Sequence, residues 1–159
     1  ARAAARAGAI GATTEVGPAL DALGRTFRKI YREREIVFPE TAPGLRFLGE
    51  AQDFDDLVGN LLDNACKWAA SKVHLSLALE PAAAGRSRLV LAIDDDGPGL
   101  APGMRAEAIR RGRRLDETKP GSGLGLSIVA DLSAAYGGAL ALEESPLGGL
   151  RAVLRLPAA

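Results

Sequence analysis

An α+β two-layer sandwich is the fold class this sequence predicts, and three observations predict it. The stretch Asp53 to Ala70, DFDDLVGNLLDNACKWAA, has the apolar spacing of a long helix that buries one face. Short apolar runs at 36–38, 45–48, 73–79, 89–93, 140–142 and 150–156 have the lengths and alternation of strands, some in hairpin-like pairs. Helices and strands are mixed in an order that favours α+β over a doubly wound sheet.

Taken in order, residues 1–9 are Ala/Arg-rich and helix-prone, and Gly11 with Thr13–Thr14 interrupts them. Gly17–Pro18 makes a good helix start, since proline suits the first helical positions. Leu20, Leu23, Phe27, Ile30 and Tyr31 then form a helical apolar stripe to about Arg34. Pro39 and Pro43-Gly44 separate two short strands, and the central helix follows. At about 100° per residue, Phe54, Leu57, Val58, Leu61, Leu62, Ala65 and Ala69 share its inner face. Val73, Leu75, Leu77 and Leu79 alternate with His74, Ser76 and Ala78, the pattern of a half-buried strand. Leu89 to Ile93 is a continuous apolar run, expected as a central strand, and it ends directly in Asp94-Asp95-Asp96-Gly97. Residues 100–122 carry little apolar periodicity and read as a functional lid. Gly125 to Tyr136 resumes helix with Ile128, Val129, Leu132 and Tyr136 on one side, and Gly137-Gly138 ends it. Two antiparallel strands close the chain, joined by a turn at Ser145 to Gly149.

Composition bounds the class. With 159 residues, 47% hydrophobic and 25% charged, the chain is globular and long enough to bury a sizeable core. Lys+Arg and Asp+Glu both number 20, which gives no argument for nucleic acid as a partner. Cys66 has no second cysteine to pair with, as in a reducing compartment. No apolar run approaches the ~20 residues that span a bilayer, and there is no signal-peptide pattern. The opening ARAAARAGAI has the character of a helix tail, so a domain of a longer chain is expected.

Three constellations carry chemistry. On the back of the central helix, Asp56, Asn60, Asp63, Asn64 and Lys67 gather at spacings of three and four. Asn and Asp compete for backbone hydrogen bonds and are poor filler for a solvated helix face, so two Asn one turn apart have the look of ligands. An Asn oxygen is a hard ligand suited to Mg²⁺, which takes few protein ligands and keeps waters or phosphate oxygens. The second constellation, DDDGPG at 94–99, is either a solvated turn or a carboxylate that reads a nucleobase amino group with glycines leaving room for the base. The third, Pro120-Gly121-Ser122-Gly123-Leu124-Gly125-Leu126, opens a helix whose N–H groups and partial positive charge suit phosphate. It is neither the dinucleotide fingerprint nor a Walker A loop.

In order and spacing, NxxxNA on a helix, then DxGxG, then GxGxGL resembles the ATP-binding domain of sensor histidine kinases, in the wider family with gyrase, Hsp90 and MutL. GNLLDNACKWA and RGRRLDETKPGSGLGL look closest to the PhoQ-like branch of two-component sensors. The resemblance covers about residues 13–156. It implies a Bergerat-type ATP-binding fold, with a mixed, mostly antiparallel sheet covered on one face by helices, and ATP and Mg²⁺ as ligands. By the same resemblance, Asn60 is the Mg²⁺ ligand and Asn64 lies near the phosphates, where Lys67 neutralises charge. Trp68 packs by the adenine or is simply a core-edge tryptophan. Asp95 reads the adenine in a pocket shaped by Gly97 and Gly99. Gly121, Gly123 and Gly125 hold phosphates, with Ser122 as an extra donor and Leu124 and Leu126 completing the motif. Arg114 and Lys119 face the triphosphate or are solvated lid charges. Asp56 stands where the family carries a Glu or another polar residue proposed to help activate the attacking histidine, and it is one methylene shorter than Glu. Ile109 replaces the lid aromatic of many members, which implies a looser empty lid.

His74, the sole histidine, lies mid-strand outside every motif. The implied phosphoacceptor hairpin is therefore expected upstream, with residues 1–12 as the end of its second helix or a linker and 13–159 as the catalytic domain. The implied partners are that dimerisation domain and a response-regulator receiver domain. The parent protein is expected to be homodimeric and anchored in the bacterial inner membrane, with this domain cytoplasmic. Two alternatives stay open: an ATPase of the gyrase, MutL or Hsp90 type, and a degenerate ATP-binding sensor that docks without phosphotransfer.

Overall fold

The computed structural model describes residues 11–81, 85–111 and 125–159. The chain runs from strand β1 (Thr14–Glu15) straight into helix α1 (Val16–Ile30), then through β2 (Glu35–Val37) and β3 (Arg46–Phe47) to the long helix α2 (Ala51–Trp68). Strands β4 (Lys72–Pro81) and β5 (Ser87–Asp95) form an antiparallel pair. Helices α3 (Pro102–Arg111) and α4 (Gly125–Ala135) precede the closing hairpin of β6 (Ala139–Glu144) and β7 (Leu150–Pro157).

Five strands make the main sheet in the order β2-β4-β5-β7-β6, with β2 parallel to β4 and every other pair antiparallel. The apolar run at 89–93 thus occupies the central strand, as its continuity predicts. Leu75 of β4, Leu91 and Ile93 of β5 and Leu154 of β7 share one side of the pleat, in one core with Phe54, Leu57, Leu61 and Leu62 of α2. Burying a leucine of this kind stabilises the fold by about 1.5–3 kcal/mol. On the other side of the pleat lie His74, Ser76, Asp94, Arg151 and Arg155. Helices therefore cover one face of a mixed, mostly antiparallel sheet, the α+β arrangement expected.

All seven inner-face residues predicted for the central helix are buried, Ala69 as the residue that closes it. Other expectations need correction. The first helix stops at Ile30 rather than near Arg34, because Tyr31 leaves helical geometry, stacks on Phe27 and donates its hydroxyl to Asp63 of α2 at 2.6 Å. Thr14, read as an interruption, is a strand residue paired with Phe47, and its Oγ1 donates to the Gly49 carbonyl at 2.9 Å. Part of the expected lid is helix α3, built of helix formers (Met104, Arg105, Ala106, Glu107) behind Pro102 in its first position. Its stripe is narrow, Ala108 buried and Ile109 packed at the core edge, which is why periodicity did not reveal it. Val129 and Leu132 are buried as expected, but Ile128 is 46% exposed, and Leu126 and Ser133 complete the inner face of α4.

Candidate functional site

Helix α2 carries its polar residues where predicted. Asp56, Asn60, Asp63, Asn64, Lys67 and Trp68 are all partly buried, so this face is not a freely solvated back. Asn60 donates its Nδ2 to the Asp56 carbonyl at 2.6 Å, which fixes the amide and points its oxygen outward. A Cβ added to Gly125 would lie 3.4 Å from that Oδ1. The first and third motifs therefore meet: the Asn60 oxygen stands beside the N-terminal residue of α4, where backbone N–H groups and the helix dipole favour anions. Leu126 is buried in the core, so its contribution here is the backbone of that first turn. Arg114, Lys119, Gly121, Ser122, Gly123 and Leu124 lie outside the described residues.

Around Asn60, Asp56 accepts a hydrogen bond from Gln52 at 2.9 Å. One turn further, Lys67 pairs with Asp63 at 2.8 Å, and Asp63 takes the Tyr31 hydroxyl on its other oxygen. Burial, then Asp63, push the Tyr31 hydroxyl up. Burial pushes the Cys66 thiol up to about 12, so it is no thiolate nucleophile at neutral pH.

The triple aspartate divides into three environments, because β5 ends there and successive side chains alternate. Asp94 faces the outer side of the sheet, in a two-pronged ion pair with Arg151 at 2.8 and 2.9 Å. Burial opposes the charge of Asp96, but the Lys72 and Ser71 amides and the Ser71 hydroxyl outweigh it and hold the carboxyl well below the usual range. Asp95 points to the helix side and is 2% exposed. Its Oδ1 accepts the Gly97 amide at 2.9 Å and the Leu150 amide at 3.2 Å. Burial pushes its pKa up, and those two amides work against the rise. Gly97 packs against the carbonyl of Trp68, so close that a Cβ would overlap it, which brings the second motif to the C-terminal end of α2. Gly99 adopts φ +70° and lies against Gly149.

His74 stands on the opposite sheet face, in register with Asp94, its Nε2 buried without a hydrogen-bond partner among the described residues. Sequence reasoning missed Gly149, Leu150, Tyr31 and the pairing of Asp63 with Lys67. The Gly148-Gly149 doublet was legible only as a turn, and nothing local ties it to Asp95.

The family described as histidine kinase-, DNA gyrase B-, and HSP90-like ATPase matches residues 49–159, which take in α2, the Asp95 pocket and the start of α4. The chain belongs to this family. Among relatives in it, the sensor protein kinase CarS of Pseudomonas aeruginosa is 45% identical over 147 residues, 92% of this chain and 32% of that protein. The sensor protein PhoQ of Escherichia coli is 35% identical over 137 residues, 86% of this chain and 27% of that protein. The chain thus spans about a third or less of the curated relatives it matches. Among solved structures, the mycobacterial sensor histidine kinase MprB superposes with a TM-score of 0.78 at 27% identity, over 92% of this chain and 97% of that one. The ATP binding domain of PrrB from Mycobacterium tuberculosis gives 0.74 at 31% identity, over 93% and 97%. No helix among the described residues is long and apolar enough to cross a membrane.

Proposed function

We propose that this chain is the catalytic domain of a sensor histidine kinase, which binds ATP with Mg²⁺ along the polar face of α2 and passes the γ-phosphoryl group to a histidine on another domain. One observation carries the reading: the buried carboxylate Asp95 is bonded to Gly97, which packs against the C-terminal end of α2, and on the same helix an amide oxygen, Asn60, stands beside the N-terminus of α4. From Asn60 to Trp68 the helix rises about 12 Å, a span an extended nucleoside triphosphate can follow. Asp95 accepts the adenine amino group, with Trp68, Gly97 and Gly99 around the base. Asn64, Lys67, Arg114, Lys119, Ser122 and the backbone of Gly121, Gly123 and Gly125 hold the phosphates. Asn60, whose Nδ2 is already committed to its own helix, offers the kind of single hard oxygen that suits Mg²⁺. The ion supplies neutralisation of charge on the phosphate oxygens.

In the transfer an imidazole nitrogen attacks the γ-phosphorus in line, the bond to the ADP oxygen breaks, and Asp56 takes the imidazole proton. His74 sits on the sheet face away from α2, which supports an acceptor supplied by a separate dimerisation domain, with residues 1–12 leading from it and 13–159 as the catalytic unit. The phosphoryl group then passes to a response-regulator receiver domain. The parent protein is homodimeric and anchored in the inner membrane, with this domain on the cytoplasmic side.

Mixing the chain with a histidine-bearing helical hairpin from a sensor kinase and γ-labelled ATP tests this. Acid-labile, base-stable label on the hairpin is the expected result. Free phosphate alone would identify an ATPase of the gyrase or Hsp90 kind, and nucleotide binding with neither product a passive sensor.

A further inference from the structure

The turn between β6 and β7 lies in none of the three motifs, yet it is bonded to both Asp94 and Asp95. On the outer side of the sheet, Ser145 Oγ donates to Asp94 Oδ1 at 2.8 Å and accepts the Leu147 amide at 3.0 Å. Ser145 is 4% exposed, and the turn closes on itself through its amide to the Gly149 carbonyl at 2.9 Å. On the inner side, Gly149 donates its N–H to the Asp95 carbonyl at 3.1 Å, and Leu150 donates its N–H to Asp95 Oδ1. Gly149 approaches so closely that a Cβ would overlap Asp95 Oδ1, the Asp95 carbonyl oxygen and the Gly97 amide nitrogen.

These contacts fix the rotation of one carboxylate. Oδ1 is held by two amide donors, Gly97 and Leu150, so Oδ2 is the oxygen presented to a ligand. We propose that Ser145 and Gly149 are positioning residues for base recognition: the turn, pinned to the outer face through Asp94, sets which Asp95 oxygen meets the purine 6-amino group. The proposal rests on the reading of Asp95 as the adenine acceptor.

The test is calorimetric titration of the chain with Mg·ATP and with Mg·purine riboside triphosphate, the same nucleotide without its 6-amino group. The unmodified chain should prefer ATP by about ten- to hundredfold, the worth of a hydrogen bond to a charged acceptor. Gly149→Ala should bring that ratio close to one, and Ser145→Ala should lower it by about three- to tenfold, through loss of two hydrogen bonds in the turn. A general loosening would weaken both nucleotides equally, so an unchanged ratio in Ser145→Ala overturns the proposal even where Gly149→Ala fails to fold. Asp95→Ala separates the two layers. If it keeps the ratio, the adenine reading falls and the turn's role with it. If it loses the ratio while both turn variants keep it, only the turn's role falls.

Discussion

Asn60 commits its amide nitrogen to the helix it stands on and its oxygen to the space beside α4, and that division makes it a ligand candidate rather than a solvated polar residue. Asn60→Ala should leave the fold intact, since alanine is the better helix former at a partly buried position. It should remove the Mg²⁺-dependent part of ATP affinity, a loss of about tenfold or more. Calorimetry with Mg²⁺ and with chelator checks this: the same gain from Mg²⁺ in the variant and the parent would end the assignment. The asparagine pair was legible in sequence because its oddity is local, a poor helix former repeated one turn apart. Which of three adjacent aspartates faces the helices was not legible from composition. The alternation of β5 decides it, and Arg151 and Ser71, distant in sequence, occupy the other two. Leu150 lies 55 residues from the carboxylate it holds, beyond any local pattern.

At the scale of elements, α4 is tied to the start of α2 through Tyr136. Its hydroxyl donates to Asp53 Oδ2 at 2.5 Å and accepts the Glu50 amide at 3.3 Å, and its ring packs on Phe47 at 5.0 Å between centroids. Burial, then the bond to Asp53, push the Tyr136 pKa up to about 12. An unfolded tyrosine titrates near 10, so the folded state holds this proton more tightly. The resulting stability is fully present below about pH 10 and is lost as the pH rises through about 12. Tyr136→Phe should cost about 1–2 kcal/mol at neutral pH. Its urea midpoint should also fall less steeply than the parent's between pH 10 and 12. Parallel slopes in denaturation curves would show that Tyr136 does not carry the alkaline transition. The long periodic helix α2 and the continuous apolar run of β5 were legible in the sequence. Strands β1 and β3 are two residues each, and their pairing is a tertiary outcome with no periodicity to show. Helix α3 was hidden for a related reason, as it buries too little to leave a stripe.

For the whole molecule, the order of elements predicted the layers but not the parallel edge. That β2 joins β4 in parallel depends on α2 crossing between them, and three apolar residues in a row cannot announce a partner. The sequence had also left the two ends of the fold unconnected. In the structure they flank one short strand: Phe47 pairs with Thr14 on one side and bridges to Ala158 on the other, while the Ala159 amide donates to the Arg46 carbonyl at 3.0 Å. Two strand spacings put Thr14 and Ala158 about 10 Å apart. A circular permutant is therefore expected to fold, with Ala159 joined to Thr13 by a short glycine-serine linker and new ends opened between Pro81 and Gly85. Its ATP affinity by calorimetry should stay within about threefold of the parent, because the cut and the join both avoid α2, Asp95 and the β6–β7 turn. Near β3, the order in which the chain is threaded is thus separable from the site it builds.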